Sequence, residues 1–297
     1  MADKIKVILN PYGGRLPTEA KITLVEQALD QAGLDYHLEI TVRRGQGIEL
    51  ARQARQEGWP VVAAAGGDGM VNEVSNGLLQ AAGQAEAGIL GIIPVGTAND
   101  LAEMLQIPFD VKAACQRLAA GTTRLIDVGE VNGHYFVNNS AVGLEPVVTE
   151  AHDRMRWVKG NLRYILAALK TLAQAKPWYM RLSWGDSSFE GFINLVSIGN
   201  SNRTGGFFYM TPHARPDDGL LDFIYAAGLS RWQMLRLLPQ TFSGAHIQHP
   251  QVAYHQTTSL SITTSPPTLI QTDGEILPGN ATEIVYHLIP KKLRVIV

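Results

Sequence analysis

Four times between Lys4 and Leu105 the chain repeats one arrangement: a short strand-like run, a loop, then a segment with helical spacing. Lys4–Leu9 (KIKVIL) precedes a helix predicted over Thr18–Ala32, with Thr18 as its cap and Ile22, Val25, Ala28 and Leu29 on one face. Tyr36–Val42 alternates in polarity and is followed by a helix over Gly47–Gln56. Val61–Ala65 and Ile89–Ile93 are apolar throughout; the helices after them are predicted from about Val71, near Ala98–Leu105 and over Val111–Ala119. A run such as VVAAA has no polar face to show to water, so helices must cover the sheet on both sides. Repeated βα units do this when the strands are parallel, because each crossover returns the chain to the same end of the sheet. Three loops at the carboxyl ends carry glycine (NPYGG, GGDGM and PVGTAND), and in open parallel sheets ligands gather beyond those ends.

Beyond about Leu125 the pattern changes. Strand-like runs at Tyr135–Asn138, Tyr179–Trp184, Phe192–Ile198, Leu220–Tyr225, Leu260–Thr264, Leu269–Thr272 and Ile284–Leu288 are interrupted by helical stretches around Val147–Ala175 and Ser230–Phe242. The expected fold class is therefore α/β followed by β: a parallel-sheet domain over 1–130, then an antiparallel β domain over 131–288. The terminal 289–297, ending in KKLRVIV, is a strand that could extend either sheet. A chain of 297 residues, 45% of them hydrophobic, is long enough to give both domains a core.

Charge narrows the partners. A net charge of -2 and a pI of about 6.4 give no global attraction to nucleic acid or to an anionic membrane, so any such contact must come from a local patch. The single cysteine, Cys115, cannot form a disulfide within the chain; its place in the helical run VKAACQRL predicts a buried core thiol and suits a reducing, cytoplasmic setting. MADKIKVILNP has no signal-peptide pattern, and no apolar stretch approaches the roughly 18 residues that span a bilayer. His246 and His249 could share a helix face, but no third ligand accompanies them and zinc is not expected.

The chemistry centres on GGDGMVNEV (Gly66–Val74). At a strand-to-helix turn, glycines let an anion approach exposed amides, and the helix terminus adds positive partial charge. Gly67, Gly69 and Asn72 give a G-x-G-x-x-G spacing with its last glycine missing, which a plain tight turn would also give. Asp68 argues for more. A carboxylate in a phosphate-binding turn repels its ligand unless a cation lies between, which points to Mg2+ bound with nucleotide phosphates. No G-x-x-x-x-G-K-[ST] segment occurs, so the common P-loop is excluded.

Further blocks extend this reading: Asn10-Pro11-x-x-Gly14; Thr41 four residues before Gly45; PVGTANDLA (Pro94–Ala102); Pro212-x-Ala214 followed by Asp218-Gly219-Leu220-Leu221-Asp222; and Asp273-Gly274-Glu275. With these the chain resembles the bacterial diacylglycerol kinase and lipid kinase family, related to sphingosine and ceramide kinases and more distantly to NAD kinases. The match runs along almost the whole length.

The resemblance implies ATP-dependent transfer of the γ-phosphoryl group to a lipid hydroxyl, of diacylglycerol or a related glycerolipid, in a cleft between a Rossmann-like nucleotide domain and a β-sandwich. By motif position, Asn10, Thr41, Gly66, Gly67, Asp68, Gly69, Met70, Val71, Asn72, Gly96 and Thr97 would line the nucleotide site. Asp68 and Asp100 would hold a catalytic Mg2+. The Asp218 side chain, with the carbonyls of Arg215 and Leu220, would bind a second, structural Mg2+. Glu275 would take the proton of the attacking hydroxyl, with Asp68 as the alternative base. Arg15 matches a position often basic in the family and could meet the lipid head group or the γ-phosphate. The implied partner is a lipid at a membrane surface, met peripherally and transiently by a cytoplasmic enzyme; a homodimer is compatible with this, and nucleic acid is not a partner.

Two departures from the family pattern stand out. Met70 replaces the usual threonine after GGDG, and Glu103 stands where a basic residue is common. For membrane contact, Arg154–Lys176 offers Leu162, Ile165, Leu166, Leu169 and Leu172 on one helical face, bordered by basic residues; Gly205–Met210 (GGFFYM) is a second apolar candidate. The first reads more readily as a helix that covers the second domain's sheet, and the second equally as buried core. Two other functions compete. An NAD kinase or phosphofructokinase-like sugar kinase shares the GGDG loop and an Asn-Glu pair such as Asn72-Glu73, but no T-P-T-G-S-T-A-Y-like segment is found. A silent nucleotide or lipid sensor would explain Met70, but would have no chemical use for Asp68, Asp100, Asp218 and Glu275.

Overall fold

The computed structural model describes residues 4–12, 17–83, 85–155, 161–174 and 176–297, the side chains of 153, 161–165 and 173 excepted. The chain divides into two compact units, Met1–Val128 with Ile289–Val297, and Gly129–Leu288.

In the first unit, β1 (Ile5–Leu9), α1 (Thr18–Gln31), β2 (Tyr36–Ile40), α2 (Gln46–Gln56), β3 (Val61–Gly66), α3 (Asp68–Ala82) and β4 (Ile89–Pro94) succeed one another as βα units. α4 (Asp100–Met104), α5 (Val111–Ala120) and the start of β5 (Thr123–Val131) follow. β1 pairs with β2 on one side and β3 on the other, and β4 flanks β3, all in parallel. The chain's last strand, Ala281–Ile296, ends beside β4, also in parallel, with Arg294 opposite Ile89. The terminal KKLRVIV thus joins the parallel sheet, with Leu293, Val295 and Ile296 buried. Val25 and Leu29 of α1 pack with Val111, Cys115 and Leu118 of α5 against one face of this sheet. Burial there pushes the Cys115 thiol up to about 12.

β1 and β3 are neighbours whose onward connections diverge, β1 leading to β2 and β3 leading to β4. A parallel sheet opens a crevice at such a reversal, outside the carboxyl ends of the two strands.

The second unit contains β6 (His134–Phe136), β7 (Asn139–Gly143), α6 (Leu144–Arg154), α7 (Asn161–Gln174), β8 (Trp178–Trp184), β9 (Ser187–Gly199), β10 (Leu221–Ala227) and α8 (Arg231–Leu237). Two 3-10 turns (Leu238–Phe242 and Ala245–Gln248), β11 (Val252–Thr257), β12 (Ser259–Thr268), β13 (Ile270–Thr272), β14 (Glu275–Ile276) and β15, the last strand already met, complete it. Its strand pairs are antiparallel. β9 is long enough to serve two layers: its first half pairs with β8, which leads to β12 and β15, and its second half lies between β7 and β10. Phe136, Leu182, Ile198, Phe223, Ile262 and Tyr286 fill one shared core of this sandwich. Ile224 and Ala226 of β10 belong to a separate apolar cluster with Val148, Ala168, Met234 and Leu237 from α6, α7 and α8.

Several local expectations need correcting. Thr18 does not cap α1: Pro17 precedes the helix, no side chain caps it, and the Thr18 hydroxyl donates to the Pro11 carbonyl at 3.4 Å. α3 begins at Asp68, ahead of the apolar periodicity at Val71, because the turn Gly67–Met70 already makes helical hydrogen bonds. The helical stretch 147–175 is two helices, α6 and α7. No helix among the described residues is long and apolar enough to cross a membrane.

Candidate active site

The crevice beyond β1 and β3 holds a pocket of about 190 Å³. Asn10 and Tyr12 reach it from β1; Gly66, Gly67, Gly69 and Met70 from β3; and Val95, Gly96 and Thr97 from β4. The GGDG and PVGTAND loops meet backbone to backbone. A Cβ added to Gly96 would fall on Gly67 Cα and lie 2.7 Å from Asn99 Oδ1 and 2.8 Å from the Gly67 nitrogen. Glycine at both places is therefore a packing requirement between the two loops.

Four expected lining residues, Thr41, Asp68, Val71 and Asn72, do not line this pocket. Thr41 is buried, and both its amide and its hydroxyl donate to the Leu9 carbonyl, at 2.9 and 3.4 Å. Val71 and Asn72 are buried within α3. The amides of Met70 and Val71 both donate to the Gly67 carbonyl, at 2.9 and 3.1 Å. The Met70 side chain is buried against the backbone of Gly66, filling space beneath the turn.

Three lining residues were missed, Tyr12, Val95 and Lys21, of which Lys21 alone carries charge. Lys21 projects from the buried face of α1, its Nζ donating to the Pro11 carbonyl at 3.1 Å, and burial lowers its pKa. A lysine on a helix otherwise read by its apolar spacing looks like a solvated residue, so only the fold shows it beside a pocket suited to anions. Glu73 was noticed only for its pairing with Asn72. Its carboxylate accepts the amides of Gly45 and Gly47, both at 2.8 Å, and so fixes the loop that starts α2.

Asp68 sits in the first turn of α3 and accepts the Asp100 amide at 2.6 Å, which places the two predicted acids together. Asp100 itself is buried and starts α4. Asn99 Oδ1 is buried with no hydrogen-bond partner among the described residues. The side-chain oxygens of Asp68, Asn99 and Asp100 are all hard donors of the kind that suits Mg2+; that ion commonly takes one or two carboxylates and completes its shell with phosphate oxygens and water.

In the second unit, Asp273 and Gly274 form the two-residue turn between β13 and β14, with Thr272 opposite Glu275. Both turn residues have positive φ, 46° and 85°, the signature of a type I′ hairpin. Asp273 does more than turn the chain. Its Oδ2 accepts the Val137 amide at 3.0 Å, and its Oδ1 accepts the Asn138 and Asn139 amides at 2.9 Å each. The hairpin carrying the half-buried Glu275 is thereby tied to the start of β7.

Asp218 lies in an exposed turn and accepts the Leu220 amide at 3.1 Å. Asp222 is fully buried and accepts the Tyr254 hydroxyl at 2.5 Å and the Gln256 amide at 3.3 Å; burial raises its pKa. Among the described residues no group of three or more His, Cys, Asp or Glu is arranged to hold a metal. A cation at Asp218 would rest on one carboxylate with the carbonyls of Arg215 and Leu220, an oxygen set that suits a largely hydrated Mg2+. Arg15 lies outside the described residues, as do residues 156–160 and the side chains of Leu162 and Ile165. Of the rest of that predicted face, Leu172 is buried and Leu169 is 40% exposed. His246 is buried, with its Nε2 against the Met210 carbonyl at 3.2 Å.

A parallel α/β unit with glycine loops meeting at one pocket is thus joined in one chain to an antiparallel sandwich. Residues 4–131 match the diacylglycerol kinase catalytic domain, and residues 138–297 match the YegS C-terminal NAD kinase beta sandwich-like domain. A diacylglycerol kinase of Staphylococcus haemolyticus is 30% identical over 287 residues, covering 95% of this chain and 86% of the relative. A diacylglycerol kinase of Bacillus subtilis is 29% identical over 290 residues, covering 96% and 95%. A crystal structure of a diacylglycerol kinase from Bacillus anthracis superposes with a TM-score of 0.76 at 20% identity, covering 99% of this chain and 96% of that one. The chain belongs to the diacylglycerol kinase family: it is a lipid kinase, a phosphotransferase with an alcohol group as acceptor.

Proposed function

We propose that this protein transfers the γ-phosphoryl group of ATP to the hydroxyl of a glycerolipid, diacylglycerol before others, with Mg2+. The observation that supports this best is the meeting of the GGDG and PVGTAND loops at one pocket, with the Asp68 carboxylate bound to the Asp100 amide beside it. In this reading Asn10, Gly66, Gly67, Gly69, Gly96 and Thr97 receive the nucleotide, and Lys21 adds positive charge where its phosphates lie. Asp68 and Asp100, with Asn99 Oδ1, would hold the Mg2+, which neutralises charge on the transferring group when bound. Asp218 would serve a second, structural ion. Glu275 accepts the acceptor's hydroxyl proton, and Asp273 positions it. Asp68 is the weaker base because a carboxylate engaged with a cation accepts a proton poorly.

Phosphoryl transfer asks a protein mainly for alignment and charge neutralisation, so one base suffices. Purified protein with Mg2+ and γ-labelled ATP should label a neutral lipid from a membrane extract, and Glu275→Gln should lower that rate about a hundredfold. Label appearing only on NAD or a sugar would overturn the reading.

A further inference from the structure

α8 and the 3-10 turn after it, Leu238–Phe242, have two unlike faces. Inward, Met234, Leu237, Leu238 and Thr241 wall an apolar cavity of about 100 Å³. Glu145 and His246 are the charged or ionisable side chains in its otherwise mostly apolar wall. Outward, Trp232 is 76% exposed, more than any other large apolar side chain among the described residues, and Phe242 is 42% exposed. Phe242 stacks on Phe208, itself part of the cavity wall, at 5.3 Å between ring centroids. The apolar segment Gly205–Met210 is thus drawn to the same place. Arg231 and Arg236 are exposed on the same short helix. From Phe223 to Thr272 the sequence contains no Asp or Glu, in a chain that has 27 of them and a net charge of -2. Arg231 and Arg236 thus give this face a local positive charge that the global charge does not supply.

We propose that α8 and the following turn are the surface on which this protein docks to an anionic bilayer. Trp232 and Phe242 enter the interfacial layer, where amphipathic aromatic rings are favoured, and Arg231 and Arg236 meet lipid phosphates. Exposed aromatic rings beside two exposed arginines, with no acid in the flanking sequence, complement an anionic lipid surface in both its apolar and its charged layer. The identity of the partner rests on the lipid-kinase reading, whereas the test below needs no activity.

Binding is measured by co-sedimentation with vesicles of phosphatidylcholine, with and without phosphatidylglycerol, in the absence of ATP. Wild type should bind the anionic vesicles, and more weakly as salt rises. Trp232→Ala should weaken binding about tenfold. Arg231→Gln and Arg236→Gln should each weaken it about fivefold and flatten the salt dependence. All three variants should phosphorylate a short-chain, water-dispersed diacylglycerol as wild type does. If no acceptor is labelled by any form but the vesicle pattern holds, the docking surface stands and the kinase reading fails. The proposal is overturned if the variants sediment with anionic vesicles as wild type does, or if wild type does not sediment with them. It is equally overturned if Trp232→Ala abolishes self-association while vesicle binding is unchanged, since a second copy would then cover this face.

Discussion

Asp273 offers the sharpest link between a single side chain and the site, because its carboxylate alone satisfies three consecutive backbone amides, those of Val137, Asn138 and Asn139. Asp273→Asn keeps the shape and tolerates the positive φ. Its one remaining oxygen can still accept from Asn138 and Asn139, but an amide NH2 would face the Val137 N–H. One buried donor left unsatisfied costs about 1–3 kcal/mol. Asp273→Ala orphans all three and adds left-handed strain, so a cost of about 4 kcal/mol or more is expected. Urea unfolding reads these values directly. Because the hairpin carries Glu275, Asp273→Asn should also lower kcat about tenfold or more while leaving the KM for ATP within about twofold. Equal stability of wild type and Asp273→Asn, within about 0.5 kcal/mol, would refute the anchoring role.

Two further outcomes are expected. Gly96→Ala introduces a methyl that meets the Gly67 backbone, which cannot rotate aside, and Gly96 has no positive φ to confuse the result; stability should fall by about 1–3 kcal/mol and nucleotide affinity about tenfold, by calorimetric titration. Burial lifts the Glu145 carboxyl to about 7, against a smaller pull downward from its hydrogen bond with Ser197. A folded pKa raised above the unfolded one means stability fully present below about pH 4.5 and lost as pH rises through about 7, some ~3 kcal/mol in all. Denaturation from pH 4.5 to 8 should therefore show wild type weakening relative to Glu145→Gln, and parallel profiles would exclude the buried carboxyl as the cause.

The parallel sheet was legible because its strands need both faces covered: VVAAA, short, apolar throughout and ended by glycine, reads as a buried strand, and β3 buries all six of its residues. β5 and β11 escaped because their burial is not written in hydrophobicity. β5 includes Asp127, which is buried and accepts the Lys291 amide at 2.7 Å, and β11 (VAYHQT) is largely polar. The terminal strand was readable as a strand but not as a neighbour, since KKLRVIV carries no information about the edge at β4 that receives it. At the site, glycine spacing pointed to the loops that now meet at one pocket. It did not reveal Lys21, Glu73 or Asp273, whose roles come from backbone groups distant in sequence, nor that Thr41 would spend its hydroxyl on Leu9.

The most direct measurement is transfer of label from γ-labelled ATP to diacylglycerol as Mg2+ is titrated, in wild type and in Asp68→Asn. Wild type should require Mg2+, and Asp68→Asn should lose at least about a hundredfold of the rate, with the midpoint of the Mg2+ dependence moved to higher concentration. Transfer that persists in excess chelator, or an Asp68→Asn enzyme with an unchanged Mg2+ midpoint, would contradict a site built around that carboxylate.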